Sequence, residues 1–271
     1  MARKFTTTGP VVKFRDGQFV EMDDEIALEY PLTVVLDGRE FATLVCTPTD
    51  LDDLVTGFLA AEGVIRTASQ IRALTLDDAQ GYAHVETKEK RDIAYDFYTK
   101  RLIGSCCGKS RHFYFQNDAV TAKTVTSAHG IAAADCFSYM RELEARSRAF
   151  KQTGGVHNAA LCGADGIIAL RTDIGRHNAL DKLYGAILQQ SIRLNDKLIA
   201  FSGRLSSEVV LKVAKIGVGI ILSKSAPTDL ALKLADELNI TVVGFIRNGS
   251  FNVYTHPERV TDGASRRGND Y

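Results

Sequence analysis

From about Asp135 to residue 260, short apolar runs alternate with amphipathic stretches of helical period, and this alternation constrains the fold more than any other feature of the chain. Strands are expected at Gly155 to Leu161, Gly166 to Arg171, Lys197 to Phe201, Val218 to Ser223 and Thr241 to Ile246. Helices fill the gaps at Asn178 to Gln190, Ser206 to Lys215 and Asp229 to Leu238, each a short turn after a strand. A further charged, amphipathic helix is expected over Phe137 to Phe150. Parallel strands need crossovers of this length, and such crossovers are right-handed, so this part of the chain reads as α/β.

The earlier part reads as a smaller α+β unit. Ala27 to Leu36 and Glu40 to Cys46 flank Asp37-Gly38, a hairpin signal with a mechanism because glycine tolerates positive φ. Thr49 to Glu62 spaces Leu51, Leu54, Val55, Phe58 and Leu59 for one helix face, with Pro48 before it and Gly63 after it as start and stop signals. Residues 66 to 100 hold one or two short strands and a charged stretch, Glu86 to Arg91, that reads as a solvated face. Residues 104–130, rich in Cys, Gly, Lys, Ser and His, read as a mobile loop between the two parts. The expected organisation is residues 1–117 as the α+β unit, 118–260 as the α/β unit and 261–271 as a disordered tail.

Composition narrows the function. The chain's 33 Lys and Arg balance its 33 Asp and Glu, which argues against nucleic-acid binding through bulk positive charge. With 45% apolar residues, 24% charged and five prolines, there is ample material for a core. Five cysteines and a start without a signal-peptide core point to a reducing cytoplasm. The longest apolar or glycine run, Ile216 to Leu222, falls far short of the ~20 residues a membrane span needs.

Two constellations carry chemistry. The first is Gly104-Ser105-Cys106-Cys107-Gly108-Lys109-Ser110-Arg111-His112. Nearby cations stabilise a thiolate, so a basic, glycine-bearing loop suits a nucleophilic or redox cysteine. A Cys106–Cys107 disulfide would be strained, and no Cys-x-x-Cys partner pair supports a metal. Cys46, Cys136 and Cys162 sit among apolar neighbours and read as core.

The second is a set of four strand-to-loop junctions: Asp173 to Asn178, Ser202 to Ser206, Ser223 to Thr228, and Phe245 to Ser250. The carboxyl ends of parallel strands share one edge of a sheet, and helix N-termini there present free N–H groups. Arg176, Arg204 and Arg247, with Ser202, Thr228 and the segment Phe245, Ile246, Arg247, Asn248, Gly249 and Ser250, then form a candidate crevice for a nucleotide or pyrophosphate. His157 and His177 lie beside it; His84, His112, His129 and His256 read as surface. A Cys-His hydrolase would further need an oxyanion hole and an orienting carboxylate.

These residues resemble the formate dehydrogenase accessory sulfurtransferases, FdhD. The resemblance rests on Tyr30-Pro31-Leu32, Cys46-Thr47-Pro48 and Gly57 to Gly63. It rests more specifically on Thr153 to His157, Asp173-Ile174-Gly175-Arg176-His177-Asn178-Ala179-Leu180-Asp181-Lys182, Ser202-Gly203-Arg204, Ser225 to Thr228 and Val243-Gly244-Phe245. It implies a cytidine-deaminase-like, three-layer α/β/α domain carrying a smaller α+β N-terminal domain, usually in a homodimer. It also implies a sulfurtransferase that accepts sulfur from a cysteine desulfurase as a cysteine persulfide. That sulfur passes to molybdenum bis(molybdopterin guanine dinucleotide), a bound substrate, for formate dehydrogenase. The family pattern Cys-Gly-x-Cys-Gly meets Cys107-Gly108-Lys109-Ser110 here, which puts the persulfide on Cys107, leaves Cys106 as an extra thiol and replaces the second cysteine by Ser110. By position, Phe245 to Ser250 matches the family's cofactor-binding segment. Zinc deamination is not expected, because His157 is followed by Asn158 and Ala159 and no Cys-x-x-Cys lies downstream. The alternative is a chaperone that binds the molybdenum cofactor without persulfide chemistry.

Overall fold

In a computed structural model of the protein, residues 4–89, 102–103, 122–127 and 129–262 are described. The elements run β1 (Thr6–Arg15), β2 (Gln18–Ala27), β3 (Tyr30–Leu36), β4 (Arg39–Cys46), α1 (Leu51–Ala61), β5 (Ile71–Asp77), β6 (Tyr82–Thr87) and β7 (Leu102–Ile103). They continue as β8 (Ile131–Ala132), α2 (Ala133–Arg146), α3 (Arg148–Thr153), β9 (His157–Gly163), β10 (Gly166–Asp173), α4 (Arg176–Gln189), β11 (Leu198–Phe201) and α5 (Ser207–Ile216). The rest are β12 (Ile220–Ser223), α6 (Asp229–Glu237), β13 (Thr241–Arg247), β14 (Ser250–Val253) and β15 (Val260–Thr261).

The expected α/β alternation is present and modified in one respect. The larger sheet has the order β10-β9-β11-β12-β13-β14, with β11, β12 and β13 parallel and β9 antiparallel to both β10 and β11. Strand β9 therefore sits between β10 and β11, and α4 crosses over it. Because β10 opposes β9, it runs with β11, so the carboxyl ends of β10, β11, β12 and β13 share one edge. Helices α4, α5 and α6 cover one face of this sheet, packing Leu180, Leu183, Val209, Val213 and Ala231 on Leu161, Ile199 and Phe201. Helix α2 covers the other with Cys136, Met140 and Leu143 on Cys162, Leu198 and Leu222. The strands are apolar on both faces because both are covered.

The expected helix over Phe137 to Phe150 begins at Ala133 and breaks at Ser147, whose ψ of 67° leaves the helical basin before α3 resumes. The reason is local: the Ser147 hydroxyl accepts from Asn158 Nδ2 at 2.6 Å, fixing the chain to β9. Strand β14 was not expected. Within 104–130, Val125 belongs to the core and accepts from Asn239 Nδ2, so the latter end of the expected loop is anchored. Val260–Thr261 pairs with Ile131–Ala132, and the expected tail beyond Asp262 lies outside the described residues.

The N-terminal sheet, β5-β6-β3-β4-β7, packs on α1. Its β3–β4 hairpin turns at Asp37 and Gly38 as expected, both at positive φ. Helix α1 also lies directly on α4, where Gly57 and Gly185 let two backbones meet. A Cβ at Gly57 would stand 1.8 Å from the Asp181 carbonyl oxygen. Together the two sheets and their helices form a mixed α/β structure. The β1–β2 ribbon belongs to neither sheet.

Candidate functional site

The longest string that carried the resemblance, Asp173 to Lys182, divides by role once its surroundings are visible. Asp173 and Lys182 are both fully buried and pair at 2.7 Å. Asp173 Oδ2 also accepts from Thr47 N and Oγ1, at 3.0 and 2.9 Å, and its Oδ1 accepts from Gly175 N and Asn178 Nδ2. Lys182 Nζ donates further to Thr47 Oγ1 and to the Thr47 and Thr172 carbonyls. Two opposite charges without water persist when every remaining donor and acceptor is satisfied, as here. Asp181 pairs with Lys212. These residues fasten the strand β4 segment to the larger sheet. Sequence reasoning read the string for its ligand chemistry and missed this network; Lys182 among the apolar Ala179, Leu180, Leu183 and Ala186 of α4 was the available signal.

Arg176 and His177 are left at the sheet edge, in the first turn of α4. Arg176 Nε is buried without a hydrogen-bond partner. His177 Nε2 stands 3.0 Å from Glu208 Oε2, in an approach that misses hydrogen-bond angles. The pairing still holds the Glu208 carboxyl below the usual range, by its contact with His177 and the nearby cations Arg176 and Lys212. Beside them, Ser206 caps the start of α5 by position, yet its hydroxyl is buried and bonds to nothing. His157 faces the same cluster: burial, then the Arg176 and His177 charges, push its pKa down from 6.5. Ser206, Glu208 and His157 complete a cluster of which the sequence reading had singled out the two α4 residues and His157. A Ser N-cap and an acid in the next turn are ordinary helix-start signals, so nothing in the sequence separated Ser206 and Glu208 from their structural use.

The junctions expected to share an edge are joined by hydrogen bonds across it. Asn158 N donates to Ser202 Oγ at 2.9 Å, Ser225 Oγ donates to the Ser202 carbonyl at 3.2 Å, and Phe245 N donates to the Ser225 carbonyl at 3.4 Å. Gly203 brings β11 against α4, since a Cβ there would lie 3.4 Å from Arg176 Cβ. Arg204 projects into solvent, and the Thr228 hydroxyl caps α6 by accepting from Ala231 N.

The segment Phe245 to Ser250 splits. Phe245 adopts a φ of 56°, rare for an aromatic residue, at an irregularity in the β13–β14 register. Its ring lies 5.4 Å from the Arg247 guanidinium. Ile246 points into the core. Asn248 and Gly249, both at positive φ, make the tight turn of the β13–β14 hairpin, and the Ser250 hydroxyl donates to the Arg247 carbonyl. Cys106 and Cys107 lie outside the described residues. Cys136 and Cys162 are buried, which pushes both thiols up to about 12 and leaves them inert as nucleophiles. Among the described residues no group of three or more His, Cys, Asp or Glu side chains is arranged to hold a metal ion. No helix among them is long and apolar enough to cross a membrane.

The order and direction of the strands place the chain in the mixed α/β class. It belongs to the FdhD/NarQ family, which matches residues 27–261. It is 59% identical over 254 residues to the sulfur carrier protein FdhD of Geobacillus kaustophilus, covering 94% of this chain and 97% of that one. It is 53% identical over 262 residues to the protein of the same name in Bacillus subtilis, covering 97% and 100%. A solved structure from Desulfotalea psychrophila, described as a formate dehydrogenase accessory protein, matches with a TM-score of 0.77 at 29% identity, over 95% of this chain and 100% of that one.

Proposed function

We propose that the protein is a sulfur carrier for formate dehydrogenase maturation, with Cys107 as the persulfide residue and the strand-end edge as the site for the molybdenum bis(molybdopterin guanine dinucleotide) substrate. The observation that carries the second half is the pair of buried polar atoms without a hydrogen-bond partner, Arg176 Nε and Ser206 Oγ, at two adjacent helix starts, beside His177, which is paired with Glu208. Buried polar groups are nearly always paired, so donors left open together suit the oxygens of an anionic ligand. The strained Phe245 is the natural stacking surface for a guanine, since such backbone strain persists where the surroundings enforce it and is concentrated at ligand sites. Arg204 and Arg247, exposed on the same edge, supply the outer phosphate contacts. The layering of the larger sheet is read as cytidine-deaminase-like, without deaminase chemistry.

In this reading Cys107, favoured as thiolate by Lys109 and Arg111, attacks the outer sulfur of a cysteine desulfurase persulfide. A new S–S bond forms on Cys107 as the desulfurase S–S bond breaks and its thiolate leaves. Delivery of that sulfur to the molybdenum substrate at the sulfide level breaks the Cys107 S–S bond, returns Cys107 as thiolate and takes two electrons, which an external thiol reductant supplies on going to its disulfide. Cys106 is the neighbouring thiol for exchange.

Intact-protein mass spectrometry after incubation with a cysteine desulfurase and cysteine tests the carrier. The expected result is a gain of one sulfur in wild type and Cys106→Ala that is absent in Cys107→Ala. Calorimetric titration with guanosine diphosphate tests the edge: Arg176→Met and Ser206→Ala should each weaken binding by roughly tenfold or more, the worth of one charge-assisted or buried hydrogen bond. A sulfur gain in none of the three proteins, with nucleotide affinity intact, would move the cofactor-chaperone reading ahead.

A further inference from the structure

His157 stands at the strand-end edge with its imidazole uncommitted. It opens β9 directly opposite Asp173 of β10, and opposite residues of an antiparallel pair share a face. The carboxylate that would ordinarily engage it is spent: Asp173 is bonded to Lys182, Thr47, Gly175 and Asn178. The ring is half-buried, yet it neither gives nor takes a hydrogen bond or ion pair among the described residues. Its backbone is nevertheless fixed by the next residue. Asn158 donates from N to Ser202 Oγ and from Nδ2 to Ser147 Oγ, while its carbonyl accepts from Ser202 N and its Oδ1 from Thr172 Oγ1. Polar groups in so rigid a setting are normally paired, so the open ring suits a partner that the folded chain does not supply.

Charge decides what that partner is. The groups facing the ring are Arg176 and His177 at the start of α4, with Glu208 of α5 against His177 and Asp173 opposite. Burial, then Arg176, then His177 work against a further positive charge, and Asp173, already paired with Lys182, opposes them least. These groups keep the pKa of His157 below 6.5 and the ring neutral at neutral pH. An anion seated on Arg176 and Ser206 reverses the balance. It cancels the neighbouring positive charge and, with little water between, favours a protonated imidazole beside it. Binding and protonation then strengthen each other.

We propose that His157 is a phosphate-binding residue that takes up one proton from solvent as the anionic ligand seats beside it. Resting on the strand-end reading of the ligand site, this assignment adds the residue that selects a doubly charged phosphate. The imidazolium donor forms only when the ligand brings the charge that stabilises it.

Calorimetric titration of the full chain with guanosine diphosphate, in two buffers of equal pH and different ionisation enthalpy, reads the proton directly. Between about pH 8 and about pH 7 the terminal phosphate, whose second ionisation lies at about 6, is mostly doubly charged. Over that range wild type should take up a fraction of a proton that grows as the pH falls, and its affinity should rise by at most roughly tenfold per pH unit. In His157→Gln the uptake should vanish and the profile should flatten. In nuclear magnetic resonance spectra of the wild-type histidine rings, the resonance missing from His157→Gln should titrate at higher pH with nucleotide than without. Nucleotide binding with no proton uptake would overturn the inference and leave the ligand site standing, as would uptake that survives His157→Gln and disappears in His177→Gln. A wild type in which no histidine titrates higher on binding overturns it without recourse to a variant. A wild type that binds no nucleotide would overturn both the inference and the site.

Discussion

His157 shows at the residue scale how position rewrites a side chain's chemistry. In sequence it is one of six histidines; in the fold its burial and the charges of Arg176 and His177 depress its pKa below 6.5. As the pH falls through 6.5, the unfolded chain takes up a proton that the folded chain resists, so this group's share of stability is present above 6.5 and lost below it. Urea unfolding between neutral pH and about pH 5.5 should therefore show a stability loss of at most about 1.4 kcal/mol per pH unit from this proton. His157→Gln should lack that component, and an unchanged slope would show that another group carries the dependence. The same contrast separates the members of the Asp173 to Lys182 string. Arg176 and His177 stay at the edge while Asp173, Asn178 and Lys182 are consumed by packing, a distinction that residue type alone does not make because all five are polar.

The elements were legible wherever a period and its punctuation agreed. The helix expected at Thr49 to Glu62 is α1, and the five strands of the α/β half lie where their apolar runs fall. Boundaries moved by a few residues, as helix and strand ends depend on hydrogen bonds that composition does not reveal. The ribbon and β14 escaped for different reasons. The ribbon's apolar residues do not alternate with polar ones in a way that marks one buried face, because neither face is buried; Asn248-Gly249, a hairpin signal, was read instead as ligand chemistry. The crossing of α1 and α4 gives the sharpest test at this scale. A Cβ at Gly57 would meet the Asp181 carbonyl oxygen at 1.8 Å, and one at Gly185 would meet that of Asp53 at 1.9 Å. Neither backbone can yield without separating the two helices. Gly57→Ala should cost about 3 kcal/mol or more, the upper end for overpacking, read as a lowered urea midpoint.

Across the whole molecule the two sheets are tied by contacts that cross between them. Thr47 joins the Asp173–Lys182 pair, Arg171 meets Asp53 at 2.7 Å, and Lys215 donates to the Ala61 carbonyl at 2.7 Å. Helix α4 serves both cores, with Leu180 and Leu183 in one and Leu188 against the other. Burial that is shared in this way couples the unfolding of both parts. Lys182→Met leaves Asp173 charged and unpaired in the interior, which typically costs about 3–5 kcal/mol. Its thermal transition should shift down as one step reported alike by probes in either sheet; two separated transitions would show that the parts fold independently.

The sequence by itself determined the α/β alternation, the β3–β4 turn, the helix α1 and the shared edge of four strand-to-loop junctions. Each of these is written locally, in hydrophobic period, in glycine at positive φ or in the direction that a crossover imposes. Only the tertiary structure decided which polar residues of the Asp173 to Lys182 string are buried and which remain open, that Ser206 and Glu208 join Arg176 and His177, that Phe245 is strained, and that a ribbon stands apart from both sheets. The first of these depends on residues more than a hundred positions apart, Thr47 with Asp173 above all, and a sequence read along its length carries no record of which distant partner will satisfy a buried charge.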